Sequence, residues 1–269
     1  MNWFKHILDK DWEISTAGGM TGDAYIAKKG ERRLFLKRNS SPFLAVLSAE
    51  GIVPKLMWTK RMDNGDVITA QEWLDGRVLK PEEMQQFNIA SLLRKIHESP
   101  ELLHMMMRLG KKPVTSDALL EKVEKRLNTV AAHDSKGMME QSLAVLKQCI
   151  PLTRNTQHTV CHGDLDHHNM LLTNSGKVYL IDWENAKIAD PVIDYGTVLQ
   201  RYVPKILWED WLKHYGIKTE QHLFERMYWY LIVDTLTYLL WHIDRNEQKG
   251  IRKRMADLDE MTTTLGKLI

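Results

Sequence analysis

Cysteine is nearly absent from these 269 residues: Cys149 and Cys161 are the only two. Two thiols cannot build the framework of bridges that staples small secreted domains, and they suit a reducing cytoplasm. An excess of charge of one sign is also missing, since 37 lysines and arginines face 35 aspartates and glutamates, for a formal net charge of +2. So even a balance announces neither nucleic acid nor a membrane surface as a partner. The one basic cluster, Lys249, Arg252, Lys253 and Arg254, lies beside Asp257, Asp259 and Glu260 and reads as a solvated helix face. Long apolar runs are lacking too. The most apolar stretch, Tyr228 to Ile243, is interrupted by Asp234 and is shorter than the ~20 residues that span a bilayer, so it reads as a buried helix. Met1-Asn2-Trp3-Phe4-Lys5-His6 does not lead into an apolar run with a cleavage site, and no signal peptide is expected. No internal repeat or low-complexity tract is visible. What is present is a hydrophobic fraction of 43%, enough to bury a core in one large domain or two lobes.

The pattern along the chain divides near residue 75. Before it come strand-like runs: Trp12 to Thr16, Ala24 to Ala27, Leu34 to Lys37 after a Lys29-Gly30-Glu31 turn, and Asp66 to Trp73, which ends at Asp75-Gly76. They predict an antiparallel meander. Beyond it, Pro81 opens a stretch in which Met84, Phe87, Ile89, Leu92, Leu93 and Ile96 keep helical spacing, and helix-type sequence continues to about Ile150, apart from a loop at 111–115. The expected organisation is residues 1–75 as a small sheet lobe and 76–269 as a larger, mainly helical lobe.

The densest chemistry lies in His162-Gly163-Asp164-Leu165-Asp166-His167-His168-Asn169, followed by Ile181-Asp182-Trp183-Glu184. Between them, Met170-Leu171-Leu172 and Val178-Tyr179-Leu180-Ile181 flank Thr173-Asn174-Ser175-Gly176, the chemistry of a short hairpin. Folding that hairpin brings Asn169 and Asp182 together at its open end. Hard Mg²⁺ prefers carboxylate and carbonyl oxygens, so the two make a metal pair. Asp164, in the loop before the first strand, can reach the same place without being a ligand, as a base for a hydroxyl must. His158, Cys161, His162, His167 and His168 do not follow paired zinc spacing. Carboxylates in turns also serve simply as caps, but three elements in order with a hairpin of the right size ask for more.

These residues resemble the catalytic loop and metal motif of kinase-like phosphotransferases, in the form found in the aminoglycoside phosphotransferase and choline kinase family. Asp190-Pro191-Val192-Ile193-Asp194-Tyr195-Gly196 looks like the aspartate-bearing segment that follows the metal motif there. The resemblance implies an α+β, bilobal protein-kinase-like fold, with ATP as donor and Mg²⁺ as cofactor. It implies Asp164 as catalytic base, Asn169 and Asp182 as Mg²⁺ ligands, His162 as an organiser of the loop and Asp194 as its anchor. Gly18-Gly19-Met20-Thr21-Gly22, between two strand-like runs, lets backbone approach phosphates closely, with Gly18, Gly19, Thr21 and Gly22 as nucleotide residues. Lys37 resembles the lysine that holds the phosphates, and Phe35, two residues earlier, shares its face. Glu50 is the only acid between Lys37 and Val53 that can pair with it, yet it sits where the helix should be ending. By the same resemblance, the backbones of Glu72 and Leu74 hydrogen-bond the adenine.

For the acceptor, Asp166, Trp183 and Glu184 lie nearest the reacting group in sequence. Tyr230, Asp234 and Tyr238 follow at i, i+4 and i+8 on one helix, with Trp241 three later, an acid among aromatic rings. Such stripes are more often core than site. Leu36-Lys37-Arg38-Asn39-Ser40-Ser41-Pro42-Phe43-Leu44 and Ala70-Gln71-Glu72-Trp73-Leu74-Asp75-Gly76-Arg77 look like the choline-kinase-like YtmP/CcrZ group of Gram-positive bacteria, which is associated with cell-cycle control. The resemblance implies a cytoplasmic small-molecule kinase acting on a ribose-like sugar or nucleoside hydroxyl, with no nucleic acid and no membrane span, and with a division-site protein as a further partner. Choline, ethanolamine or an aminoglycoside is the alternative acceptor, and a non-catalytic kinase-like scaffold the alternative role.

Overall fold

The computed structural model describes residues 7–17, 23–130, 134–154, 156–219 and 222–269. In chain order its strands and helices are β1 (Glu13–Thr16), β2 (Ala24–Lys29), β3 (Arg32–Arg38), α1 (Phe43–Ala49), β4 (Leu56–Arg61), β5 (Val67–Glu72), β6 (Gly76–Val78), α2 (Phe87–His97), α3 (Pro100–Arg108), α4 (Ser116–Thr129), α5 (Lys136–Cys149), β7 (Thr159–Cys161), β8 (Met170–Thr173), β9 (Val178–Leu180), β10 (Lys187–Ala189), α6 (Val192–Tyr202), α7 (Trp208–Tyr215), α8 (Leu223–Asp244) and α9 (Gln248–Leu268). They gather into two compact units. The first comprises Met1–Lys80, Pro100–Met105 and Asp166–Asp182, and the second Pro81–Ser99, Met106–Leu165 and Trp183–Ile269.

In the first unit an antiparallel sheet runs in the order β1-β2-β3-β5-β4. Alternation puts Ala27, Leu36 and Ala70 on one buried face, where Trp12, Ile14, Tyr25 and Trp58 pack against them. Lys37, between Leu36 and Arg38, therefore points to the opposite face. The expected strands are all present: β2 and β3 run two or three residues longer than the pattern suggests, and β1 and β5 one or two shorter. β4 is an addition that the sequence pattern did not reveal: as an edge strand ending in Lys60 and Arg61 with Met57 half exposed, it has little of the apolar alternation that marks a strand. α1 ends on Glu50, whose N–H donates to Val46 O, and Gly51 follows with φ +66°, reversing the chain. A second sheet, β6-β8-β9, holds the anticipated hairpin, turned at Gly176 with φ +83°. The hairpin is tied to the chain after α1 by Leu180 N–H, which donates to Ile52 O at 3.0 Å.

The second unit is helical around α8. Twelve of its side chains, from Leu223 to Leu240, are buried, because α4, α5, α6 and α9 all pack on it. A helix apolar on nearly every side belongs inside. Trp229 is fully buried there, and its indole N–H donates to Leu146 O at 2.9 Å. Among the described residues no helix is long and apolar enough to cross a membrane. β7 and β10 pair antiparallel, Lys187 opposite Cys161. Helical spacing from Pro81 is realised as a 3-10 turn, Pro81–Gln85, and then α2, whose Ile89, Leu93 and Ile96 are buried while Phe87 stays exposed and stacks on His214.

Trp229→Ala should lower the unfolding free energy of this unit by about 3–5 kcal/mol in urea titrations, with a much smaller loss for Trp229→Phe. Equal losses in both would assign the effect to the indole hydrogen bond instead of the packing.

Candidate active site

In the first unit, the hairpin fixes the expected metal pair. Asp166 accepts from His168 N–H at 3.0 Å and caps the 3-10 turn His167–Asn169. Asn169 ends that turn, and its carbonyl accepts from Ile181 N–H at 2.8 Å, so Asn169 and Asp182 stand at the hairpin's open end. Asp182 has φ +65°, a left-handed conformation uncommon outside glycine that marks a position held for its side chain. Its Oδ1 lies 3.7 Å from Lys37 Nζ, with the two side chains 53% and 27% exposed. An ion pair so long and so wet stabilises little. It sets an ammonium and carboxylate oxygens side by side at the edge of the hairpin. Asn169 and Asp182 offer hard oxygen ligands on a rigid turn, a donor set that fits Mg²⁺. The oxygen and ring nitrogens of Asp166, His167 and His168 also converge within 4.8 Å, but Asp166 is committed to capping. Glu72 N–H donates to Lys55 O at 2.8 Å, so any nucleotide contact by Glu72 falls to its carbonyl. Leu74 is the second residue past the end of β5. Gly18, Gly19, Thr21 and Gly22 lie outside the described residues.

In the second unit, the loop carrying Asp164 hangs on Asp194. That carboxylate, fully buried near the start of α6, accepts from His162 N–H at 2.7 Å and Gly163 N–H at 2.9 Å, and pairs with His97 Nε2 at 3.1 Å. His97 Nδ1 in turn lies 2.7 Å from Tyr215 Oη. Burial alone would raise the Asp194 pKa, but His97, His162 and the Gly163 N–H hold it below the usual carboxylate value. Gly163 has φ +75°, and a Cβ there would meet the Lys187 side chain and come within 2.9 Å of Asn185 O. Only glycine fits. Asn185 Nδ2 donates to Asp164 Oδ2 at 3.3 Å, and Trp183 packs edge-on against the buried His162 ring at 4.9 Å. Asp190, whose carboxyl is pushed up by burial against the pull of Arg226, accepts from Val192 N–H at 3.0 Å just before α6. Both cysteines are free and buried.

Asp164 opens onto a cavity of about 50 Å³ walled by Lys187, Arg201, Tyr230, Asp234 and Tyr238 among others. Of the acceptor residues expected from sequence, Asp234 shares this cavity with Asp164. Asp166, Trp183 and Glu184 do not line it, and Trp241 stacks under Arg245 instead. The protein mass around the Asp234 carboxyl raises its pKa, opposed by Arg201, Arg254 and Lys187. Arg201 lies 3.6 Å from it, too far for a hydrogen bond, and Arg254 lies over the Tyr238 ring at 5.0 Å. Lys187 and Arg201 were not foreseen. They come from β10 and α6, and nothing in local sequence marks them.

Residues 15–230 match the profile of the Phosphotransferase enzyme family (APH). The chain belongs to that phosphotransferase family. Solved structures agree on its fold. Choline kinase LicA from Streptococcus pneumoniae superposes with a TM-score of 0.69 at 19% identity, over 95% of each chain. A choline/ethanolamine kinase family protein from Mesorhizobium loti gives 0.65 at 16%, over 95% of this chain and 87% of its own. The GDP complex of aminoglycoside 2'-phosphotransferase-IIIa gives 0.68 at 15%, over 97% and 96%. The phosphotransferase is thus an α+β protein of the protein-kinase-like fold, with an antiparallel N-terminal sheet and a mainly helical remainder.

Replacing Asp194 by Ala in this phosphotransferase should cost about 3–5 kcal/mol, since it strands two buried N–H groups and His97. With its pKa lowered by folding, Asp194 stabilises fully above its unfolded pKa and progressively less as pH falls through the folded value. The acid limb of unfolding free energy against pH should therefore flatten in the variant, and an unchanged limb would remove Asp194 from this role.

Proposed function

We propose that this phosphotransferase moves the γ-phosphoryl group of Mg·ATP to a hydroxyl of a ribose-like sugar or nucleoside. The observation that carries the reading is the cavity at Asp164, where two carboxylates, two cations and two tyrosines converge in about 50 Å³. At roughly 10–15 Å³ per water-sized group, that space takes only the part of an acceptor that carries the reacting hydroxyl, such as one edge of a sugar ring. Its balanced charge suits a neutral polyol: Lys187 and Arg201 would oppose the head group of choline, and the tyrosines offer a flat wall with hydroxyls at the edge.

In this mechanism Asp164, steadied by Asn185, orients the acceptor hydroxyl and takes its proton as the oxygen attacks the γ-phosphorus. The bond to the β-phosphate oxygen breaks and ADP leaves with the electron pair. Lys37 holds the phosphates, with Asn169 and Asp182 as the metal-holding pair. Bound Mg²⁺ would neutralise phosphate charge. Gly18, Gly19, Thr21 and Gly22 would cover the phosphates, and Glu72 and Leu74 would face the adenine. The GDP seen in one fold relative supports a nucleotide site and makes GTP a donor to include in the assay. Asp166, Trp183 and Glu184 stand near the loop as outer contacts for a larger acceptor such as a nucleoside. The likeness to the YtmP/CcrZ group supports a cytoplasmic role in bacterial cell-cycle control, with a division-site protein as partner.

Asp164→Ala and Asp182→Ala should each abolish product from Mg·ATP with a panel of sugars, nucleosides, amino-alcohols and aminoglycosides, while leaving a folded protein. Turnover retained by either would sink the mechanism. Wild-type protein that binds ATP yet yields no product across the panel would mark a non-catalytic scaffold, and turnover confined to amino-alcohols would move the acceptor to choline or ethanolamine.

A further inference from the structure

A phosphoryl group in transfer needs positive charge around its oxygens, and the loop that carries the base supplies none: His162 to Asn169 contains no lysine or arginine. We propose that Lys187 is the missing cation, a catalytic residue whose ammonium, beside Asp164, hydrogen-bonds an oxygen of the phosphoryl group as the acceptor hydroxyl attacks. The inference rests on the phosphoryl-transfer reading above.

Three observations point to it. Strand pairing sets Lys187 opposite Cys161, so its side chain can run along the chain that leads to Asp164. It does run there: a Cβ placed on Gly163 would fall 2.9 Å from Lys187 Nζ, and Lys187 and Asp164 line the same cavity. Among the described residues no carboxylate holds Lys187 in an ion pair, although its charge is felt at Asp234. The other cation of the cavity, Arg201, sits by Asp234 at 3.6 Å. A group transferred to the hydroxyl that Asp164 holds must come close to Asp164, and the ammonium of Lys187 lies against the preceding residue, Gly163, in the same cavity.

The chemistry balances without a further reagent. The acceptor oxygen forms its bond to phosphorus, the bond to the leaving β-phosphate oxygen breaks, and the hydroxyl proton passes to Asp164. Lys187 keeps its proton and gives only hydrogen bonds, which are stronger as negative charge gathers on the phosphoryl oxygens and so act on the transition state more than on bound substrate. The competing structural role is that the lysine stem covers Gly163. Methionine would perform that role equally well.

The test measures kcat and KM for Mg·ATP with D-ribose, and the slow hydrolysis of Mg·ATP in water, for wild type, Lys187→Met, Lys187→Gln and Lys187→Arg, each checked for an unchanged thermal midpoint. Removing one such donor should lower kcat about 100-fold with both KM values within about threefold of wild type, and arginine should recover at least about a tenth of the lost rate. A Met or Gln variant within about threefold of wild-type kcat overturns the proposal in favour of stem packing. So does a rise in the KM for D-ribose at constant kcat, which would make Lys187 an acceptor-binding residue. If wild type hydrolyses ATP but ignores D-ribose, the proposed acceptor fails while the hydrolysis rates still decide Lys187. If wild type does neither, the phosphoryl-transfer reading and this inference fall together.

Discussion

The carboxylate of Asp194 is the constraint on which the active-site loop depends. Two consecutive backbone N–H groups, from His162 and Gly163, converge on this buried carboxylate, and His97 supplies a third partner. Burying such a charge is costly unless every oxygen is satisfied, so the arrangement tolerates little slack. The next residue along the chain is Asp164. Its direction is thereby settled by a hydrogen-bonded turn and by the absence of a Cβ at Gly163, before any substrate is present.

In the first unit, local devices likewise fix Asn169 and Asp182. One backbone hydrogen bond between Ile181 and Asn169 closes the hairpin, and the left-handed backbone of Asp182 re-aims its side chain toward Lys37. These contacts contribute little to stability, and their value lies in geometry. Side chains placed by backbone geometry need no further ordering when a ligand arrives.

Sequence reading succeeded where chemistry is written into adjacent residues. Asn169 and Asp182 could be paired because a four-residue turn and two apolar runs leave one register for the hairpin, and β1, β2, β3 and β5 could be seen because each alternates. It failed where position depends on distant packing. β4 borrows its order from β5, so its own residues carry little signal. Lys187 and Arg201 come from a strand and a helix, and no spacing along the chain encodes their convergence with the foreseen Asp234 on one cavity. Asp166, Trp183 and Glu184 were singled out by nearness in sequence. In the second unit Trp183 turns to His162, while in the first Asp166 caps its own turn, so nearness along the chain did not translate into lining the Asp164 cavity.

Asp234 projects from the middle of α8, the helix around which four others are packed. A wall borrowed from the best-packed helix of the unit is stiff, so a ligand entering there costs little ordering entropy in its host. If the cavity takes the acceptor as proposed above, discrimination comes from the side chains that face it, and a few substitutions on β10, α6 and the exposed face of α8 would retune it while the framework stays put. The fold in this region behaves as a fixed mount carrying an exchangeable lining.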